Sequence, residues 1–219
     1  MCPSILNADR SNLHLEIERV KSSSDLLHLD VMDGLFVPNR TFDLKESQKI
    51  IRDSPIPVDV HLMIADPDIF AIEYARAGAT SVTFHFEASH EPLQTLTKIQ
   101  ESGSRAALAI KPGTDFSEIQ PLLDSLDMLL IMTVEPGFGG QGFIAETLPK
   151  IVMAREAIDK LSRDIWLQVD GGINELTIEK AATAGADTFV AGSAVYRDAQ
   201  PSEALMRLRK LATSAKSLQ

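Results

Sequence analysis

The chain has 219 residues, of which 44% are hydrophobic, 24% charged and only 5% aromatic, enough for one domain whose small aliphatic core suits a sheet packed on helices. A formal net charge of -10 with no Lys/Arg cluster excludes nucleic acid as a main partner, because contacts to a phosphate backbone need clustered cations. A small phosphorylated ligand stays open, since backbone N–H groups can hold one phosphate locally.

The single cysteine, Cys2, rules out an internal disulfide and fits a reducing compartment. The first twenty residues mix charged and apolar side chains, unlike a signal peptide, and no apolar run reaches bilayer-spanning length. These features predict a soluble cytoplasmic protein with no membrane partner.

In chain order, apolar runs predict strands near Pro3–Leu6, Leu26–Asp30, Val58–Met63, Ser81–Phe86, Ala106–Ile110, Met128–Met132, Ile165–Val169 and Thr188–Ala191. Between them lie amphipathic stretches such as Asp68–Ala77, Pro92–Glu101, Thr147–Leu161 and Glu175–Ala184, with a last one over Glu203–Ala212. Asp66 before Pro67 reads as an N-cap followed by a first-turn proline. Gly78 and Gly185 follow helices as stop signals. Eight strands in strict alternation with eight helices require parallel strands and right-handed crossovers. The predicted fold is α/β, a single (β/α)8 barrel over residues 1–219; an open doubly wound sheet is the alternative.

In such a barrel the active site lies at the C-terminal ends of the strands. His28 and Asp30 end the second strand and, two residues apart, point to one side. His61 lies near the end of the third strand, His85 ends the fourth, and Asp170 ends the seventh. A lone histidine there is more often a hydrogen-bonded core residue than a ligand, and a lone aspartate often caps a turn. Convergence in a barrel makes His28, Asp30, His61 and Asp170 a candidate site for one divalent metal ion such as Zn, Fe(II), Mn or Co.

The segment Met132–Gln141 (MTVEPGFGGQ) follows the sixth strand. Its glycines permit a mobile lid or a backbone anion cradle, though glycines alone equally suit a surface loop. Gly171-Gly172 and Gly192-Ser193 follow the next two strands, where barrels commonly hold phosphate. Asp33-Gly34 reads as a turn. Met32, Met63 and Met132 read as core filler which, ringing the site, would shield a reactive intermediate from water.

These residues resemble the ribulose-phosphate 3-epimerase family over nearly the whole chain. The resemblance is carried by Pro3–Leu6, His28–Asn39 (HLDVMDGLFVPN), His61–Met63, Thr83–His85, Met132–Gln141, Val169–Gly172 and Val190–Ser193 in this order. It implies a (β/α)8 barrel that interconverts D-ribulose 5-phosphate and D-xylulose 5-phosphate in the pentose phosphate pathway. By resemblance, His28, Asp30, His61 and Asp170 bind the metal, and Asp30 and Asp170 are the acid/base pair acting through an enediolate. Ser4 and His61 look like substrate contacts, as does Asp170. Gly137, Phe138, Gly139, Gly140, Gly171, Gly172, Gly192 and Ser193 look like phosphate and lid contacts. Relatives form dimers or hexamers, so a homo-oligomer is expected.

Asn7 stands where the family usually has serine or alanine, Leu35 replaces a frequent histidine, and Arg40 and Asp43 replace an apolar residue and a glycine. These departures bear on the loop after the second strand, not on the reaction type. The nearest rival is another ketose-phosphate 3-epimerase, such as one acting on allulose 6-phosphate. A decarboxylase on the same barrel resembles D-x-K-x-x-D, which Asp43–Gln48 matches only in part. A catalytically silent phosphate-ligand binding protein is the rival outside enzymes.

Overall fold

A computed structural model describes residues 1–216. Its strands are β1 (Cys2–Pro3), β2 (Leu27–Met32), β3 (Val58–Met63), β4 (Ser81–His85), β5 (Arg105–Ile110), β6 (Met128–Met132), β7 (Trp166–Asp170) and β8 (Thr188–Ala191). They form one sheet in the order β1-β8-β7-β6-β5-β4-β3-β2, with every adjacent pair parallel. A parallel bridge from Ser4 to His28 joins the two ends of that order. The sheet therefore closes, and the architecture is a (β/α)8 barrel rather than an open doubly wound sheet.

The crossovers are α1 (Leu13–Val20), α2 (Leu44–Asp53), α3 (Pro67–Arg76), α4 (Pro92–Glu101), α5 (Phe116–Ile119, extended by a 3-10 stretch Gln120–Ser125), α6 (Leu148–Ile158) and α7 (Ile178–Thr183). Two helices follow β8: a single turn, α8 (Ser193–Tyr196), and the long α9 (Pro201–Lys216). Local chemistry explains several ends. Prolines stand in the first turns of α3, α4 and α6, where an N–H would have no intrahelical partner anyway. Asp43 and Glu46 form a reciprocal capping box that starts α2. Gly78 and Gly185 follow α3 and α7 with φ of 98° and 113°.

The strands are buried on both faces, but the two faces differ in chemistry. Alternate residues, such as Leu27, Leu29, Val58, Val60, Leu62, Val82 and Phe84, join one apolar cluster with Ile17 and Val20 of α1 and Leu96 and Ile99 of α4. The opposite parity points into the barrel and carries His28, Asp30, Asp59, His61, Ser81, Thr83, His85 and Gln168, each 2% exposed or less. The barrel thus has an oily outer wall and an unusually polar lumen.

Several boundaries differ from the sequence reading. The first strand stops at Pro3, because the Ser4 hydroxyl accepts from Leu6 N–H at 3.2 Å and caps a 3-10 turn over Ile5–Asn7. β2 runs two residues past Asp30, held by ladder pairing of Val31 with Leu62 and Met32 with Met63. Asp66 stands at the N-cap of α3 without a side-chain capping bond. The expected helix over Thr147–Leu161 starts after a 3-10 turn, Ala145–Thr147, and α7 is four residues shorter than expected at its combined ends than the span Glu175–Ala184. No helix among the described residues is long and apolar enough to cross a membrane.

Candidate active site

Ladder register brings the polar side chains together. Asp30 of β2 pairs with His61 of β3, and His28 pairs with Asp59 one step below. Asp170 ends β7, paired with Met132 on one side and Val190 on the other. Across the lumen, His61 Nδ1 lies 3.2 Å from Asp30 Oδ1 and 3.6 Å from Asp170 Oδ2. His28 Nε2 lies 3.4 Å and 3.9 Å from the same two oxygens. One ligand atom from each of the four residues falls within 4.8 Å of the others.

This spacing fits a shared cation better than direct hydrogen bonds. Contacts of 3.4–3.9 Å are too long for good N–H···O bonds. Metal–donor distances of about 2.0–2.1 Å in a tetrahedral site put neighbouring donors roughly 3.3–3.4 Å apart. His28 Nε2 is buried with no hydrogen-bond partner, and it is aimed into the group. Two imidazole nitrogens and two carboxylate oxygens are also a donor set suited to a divalent transition metal.

The charge balance agrees. Burial pushes the Asp30 carboxyl up, but the adjoining His28 and His61 imidazoles outweigh it and hold it well below the usual carboxylate range. Burial pushes the His28 imidazole down, yet Asp30 and Asp59 outweigh burial and raise it well above its usual value. Burial likewise lowers His61, and the Asp170 and Asp30 carboxylates more than reverse it. The lumen is therefore built to surround positive charge.

Above these groups opens a cavity at the C-terminal end of the strands. Ser4, Asp30, Asp170, Met32, Met63, Met132 and the glycine loops line it, with no lysine or arginine among the lining residues. Ser4 Oγ donates to Asp30 Oδ2 at 2.5 Å, so one Asp30 oxygen faces the imidazoles and the other faces Ser4. The three methionines are each at most 2% exposed, while Phe138, at the tip of the loop after β6, is 54% exposed. Gln141 Nε2 donates to the carbonyls of Glu135 and Phe138 and staples that loop. Thr133 Oγ1 donates to the Gly171 carbonyl at 2.6 Å and ties it to the end of β7. Gly171 and Gly172 adopt φ of 120° and 66°, and a Cβ there would lie 2.4 Å from Val134 Cγ2 and from Phe143 N respectively, so only glycine fits. Gly192 and Ser193 border the same cavity at the start of α8.

A family profile described as the Ribulose-phosphate 3 epimerase family matches residues 1–196. The ribulose-phosphate 3-epimerase of Mycobacterium leprae (strain TN) is 50% identical over 212 residues, covering 97% of this chain and 94% of that protein. The chain belongs to the ribulose-phosphate 3-epimerase family, a family of isomerases. The enzyme of that name from Bacillus subtilis (strain 168) is 42% identical and covers 95% of this chain and 97% of that one. Among solved structures, 3-keto-L-gulonate-6-phosphate decarboxylase from Vibrio cholerae aligns with a TM-score of 0.74 over 98% of this chain and 97% of that chain at 15% identity, a likeness of fold alone. The Asp43–Gln48 segment, the partial match to a decarboxylase pattern, instead supplies the capping box of α2.

In this family member the structure adds Asp59, Ser81, Gln168 and Glu87, which the sequence reading did not single out, and gives the strand-end His85 its partners. Asp59 is fully buried beneath His28 and is bonded to its Nδ1 at 2.8 Å; Ser81 Oγ and Gln168 Nε2 donate to the same carboxylate at 2.6 and 2.8 Å. Asp59 sits two residues before His61, so strand alternation was a signal that could have found it. His85 Nε2 lies 3.0 Å from His61 Nε2, and His85 Nδ1 lies 3.2 Å from Glu87 Oε2. Burial pushes the His85 imidazole down to about 4. Burial also raises the Glu87 carboxyl, but hydrogen bonds from His85, Lys111 N–H and the Thr114 hydroxyl outweigh it and hold it at about 2. Asn7, the family departure, stands between two loops: a Cβ on Gly139 would meet its amide nitrogen at 2.7 Å, and one on Gly192 its oxygen at 2.4 Å.

Proposed function

We propose that this chain interconverts D-ribulose 5-phosphate and D-xylulose 5-phosphate by moving one proton at the carbon next to the ketone. The observation that carries the reading is the pair of carboxylates, Asp30 and Asp170, held with His28 and His61 at the mouth of a closed barrel. Inversion needs proton removal on one face of the carbon and return on the other. Asp30 and Asp170 project from different strands and serve as base and acid, exchanging roles in the reverse direction. Ser4 holds one Asp30 oxygen and fixes the orientation of that carboxylate.

His28, Asp30, His61 and Asp170 are the residues that would hold one divalent metal ion, Zn, Fe(II), Mn or Co. Bound there, the cation supplies Lewis-acid stabilisation to the negative charge that develops on the substrate's oxygens. Met32, Met63 and Met132 close the cavity wall with apolar surface and exclude water from the enediolate. The phosphate is held by backbone N–H groups of Gly137–Gly140, Gly171-Gly172 and Gly192-Ser193, with Phe138 as part of the covering loop. The protein works as a cytoplasmic homo-oligomer in this reading, supported by apolar surface at Leu35, Ile69 and Phe70 that is 76%, 65% and 45% exposed.

The test compares turnover on ribulose 5-phosphate and allulose 6-phosphate in deuterated water. The expected result is faster epimerisation of the five-carbon sugar, with one solvent deuterium entering at the inverted carbon. Preference for the six-carbon sugar would transfer the assignment to the rival epimerase. No deuterium entry with either sugar would leave a binding protein.

A further inference from the structure

We infer that Glu87 and His85 form a positioning relay that fixes which ring nitrogen of His61 is free to bind a cation. The inference rests on the metal reading above and adds two residues to it. The chain of contacts runs from the lumen outward: His61 Nδ1 faces Asp30 and Asp170, His61 Nε2 meets His85 Nε2 at 3.0 Å, and His85 Nδ1 meets Glu87 Oε2 at 3.2 Å.

With both rings neutral, the state a bound cation requires of His61, hydrogen-bond bookkeeping leaves one proton arrangement. A carboxylate only accepts, so His85 Nδ1 must carry the proton that reaches Glu87. A neutral ring has a single N–H, so His85 Nε2 presents a lone pair. His61 Nε2 must then donate to it, and His61 Nδ1 is left with its lone pair directed at the two aspartates. That lone pair is the atom a cation needs. The reverse arrangement would place an N–H on His61 Nδ1 and block the site.

The relay is anchored at both ends. Glu87 Oε1 accepts from Lys111 N–H at 2.7 Å and from the Thr114 hydroxyl, so the start of the β5–α5 loop locks the carboxylate's rotation. His61 and His85 are fully buried, and their rings stack with centroids 5.1 Å apart. Phe36 packs against His85 with centroids 4.8 Å apart. Neither Glu87 nor His85 lines the cavity, so they act through His61 and are not catalytic residues.

Glu87→Gln in the full chain tests the inference. The glutamine oxygen must keep accepting from Lys111 N–H and Thr114, which turns the new NH2 toward His85 Nδ1. His85 Nδ1 then accepts, its proton moves to Nε2, and the proton on His61 is driven to Nδ1. The expected result is roughly 10- to 100-fold weaker Zn(II) binding, measured by competition with a chromophoric chelator. Ring 15N shifts should show His85 protonated at Nδ1 in the parent and at Nε2 in the variant. His85→Gln can accept from His61 and donate to Glu87, so it should keep Zn(II) affinity within about threefold, the scatter expected where the hydrogen bonds are kept, whereas His85→Leu should lose it. A parent His85 protonated at Nε2, or unchanged Zn(II) affinity in Glu87→Gln while His28→Ala loses binding, overturns the relay alone. Unchanged affinity in both Glu87→Gln and His28→Ala overturns the metal reading with it.

Discussion

At the scale of single residues, Asp30 and Asp170, the proposed acid/base pair, differ in surroundings. The Asp30 side chain is 3% exposed and shared between Ser4 and two imidazoles, while that of Asp170 is 17% exposed at the cavity floor. Replacing either by asparagine preserves shape and removes the ability to exchange a proton. Asp30→Asn and Asp170→Asn are each expected to lower turnover by at least about a hundredfold, the scale of general acid–base catalysis. Near-parental rates in both variants, measured by coupled assay, would remove them from the acid/base role. The family departures also resolve at this scale. Asp43 caps α2, Arg40 forms an antiparallel bridge with Asp33, and Asp33 accepts from Leu35 and Phe36 N–H to make the expected turn. Only Asn7 among them borders the cavity.

At the scale of elements, buried or half-buried polar groups help to fasten the loops on the catalytic face, beside the apolar cluster of Met32, Val37 and Met63. Asp68, in the first turn of α3, is the clearest case. Its carboxylate accepts from Ser89 Oγ, Thr95 Oγ1 and the N–H groups of His90 and Glu91, and so fastens the β4–α4 connection. Burial raises its carboxyl, but these four donors outweigh burial and lower it. A lowered carboxyl contributes stability that is fully present above its unfolded value of about 3.9 and fades as pH falls through the folded value. Asp68→Asn should cost about 1–2 kcal/mol, a partly exposed group's share of such bonds. Thermal unfolding should show that gap in full at pH 6 and a shrinking gap below about pH 4. A gap that widens on acidification would contradict the sign of the shift.

At the scale of the whole molecule, the four metal-binding candidates come from β2, β3 and β7, which are distant in the chain. A cation bound to all four bridges strands that only the closed barrel brings together, so it binds the folded chain and not the unfolded one. Stripping it with a chelator is expected to lower the melting temperature by about 5–10 °C, the equivalent of roughly 2.7 kcal/mol at a hundredfold excess over Kd for a chain of this size. Re-addition of Zn(II) or Co(II) should restore it. A melting temperature indifferent to chelation would argue that no cation occupies the lumen.

Much of this was legible without coordinates. Eight apolar runs alternating with amphipathic stretches led to a parallel α/β fold, because parallel strands demand crossover helices and covered faces. The positions of His28, Asp30, His61 and Asp170 near strand ends, and the order of the glycine loops, pointed to the site through the rule that barrels place function at that end. The end of strand two was less legible: Val31 continues the apolar alternation of Leu27 and Leu29, but ladder pairing with β3 carries the strand through Met32. Closure of the sheet depended on the Ser4–His28 bridge, which joins residues 24 apart through neither periodicity nor propensity. Strand alternation puts Asp59 on the same face as His61, but its bonds to His28 and Gln168 and the Glu87–His85–His61 chain were hidden, because hydrogen-bond partners are chosen by strand register across the lumen. The sequence by itself determined the elements, the family and the residue types available for proton transfer, since these follow from local pattern. Only the tertiary structure decided which nitrogen faces which oxygen, because that depends on how eight separate strands align when the barrel shuts.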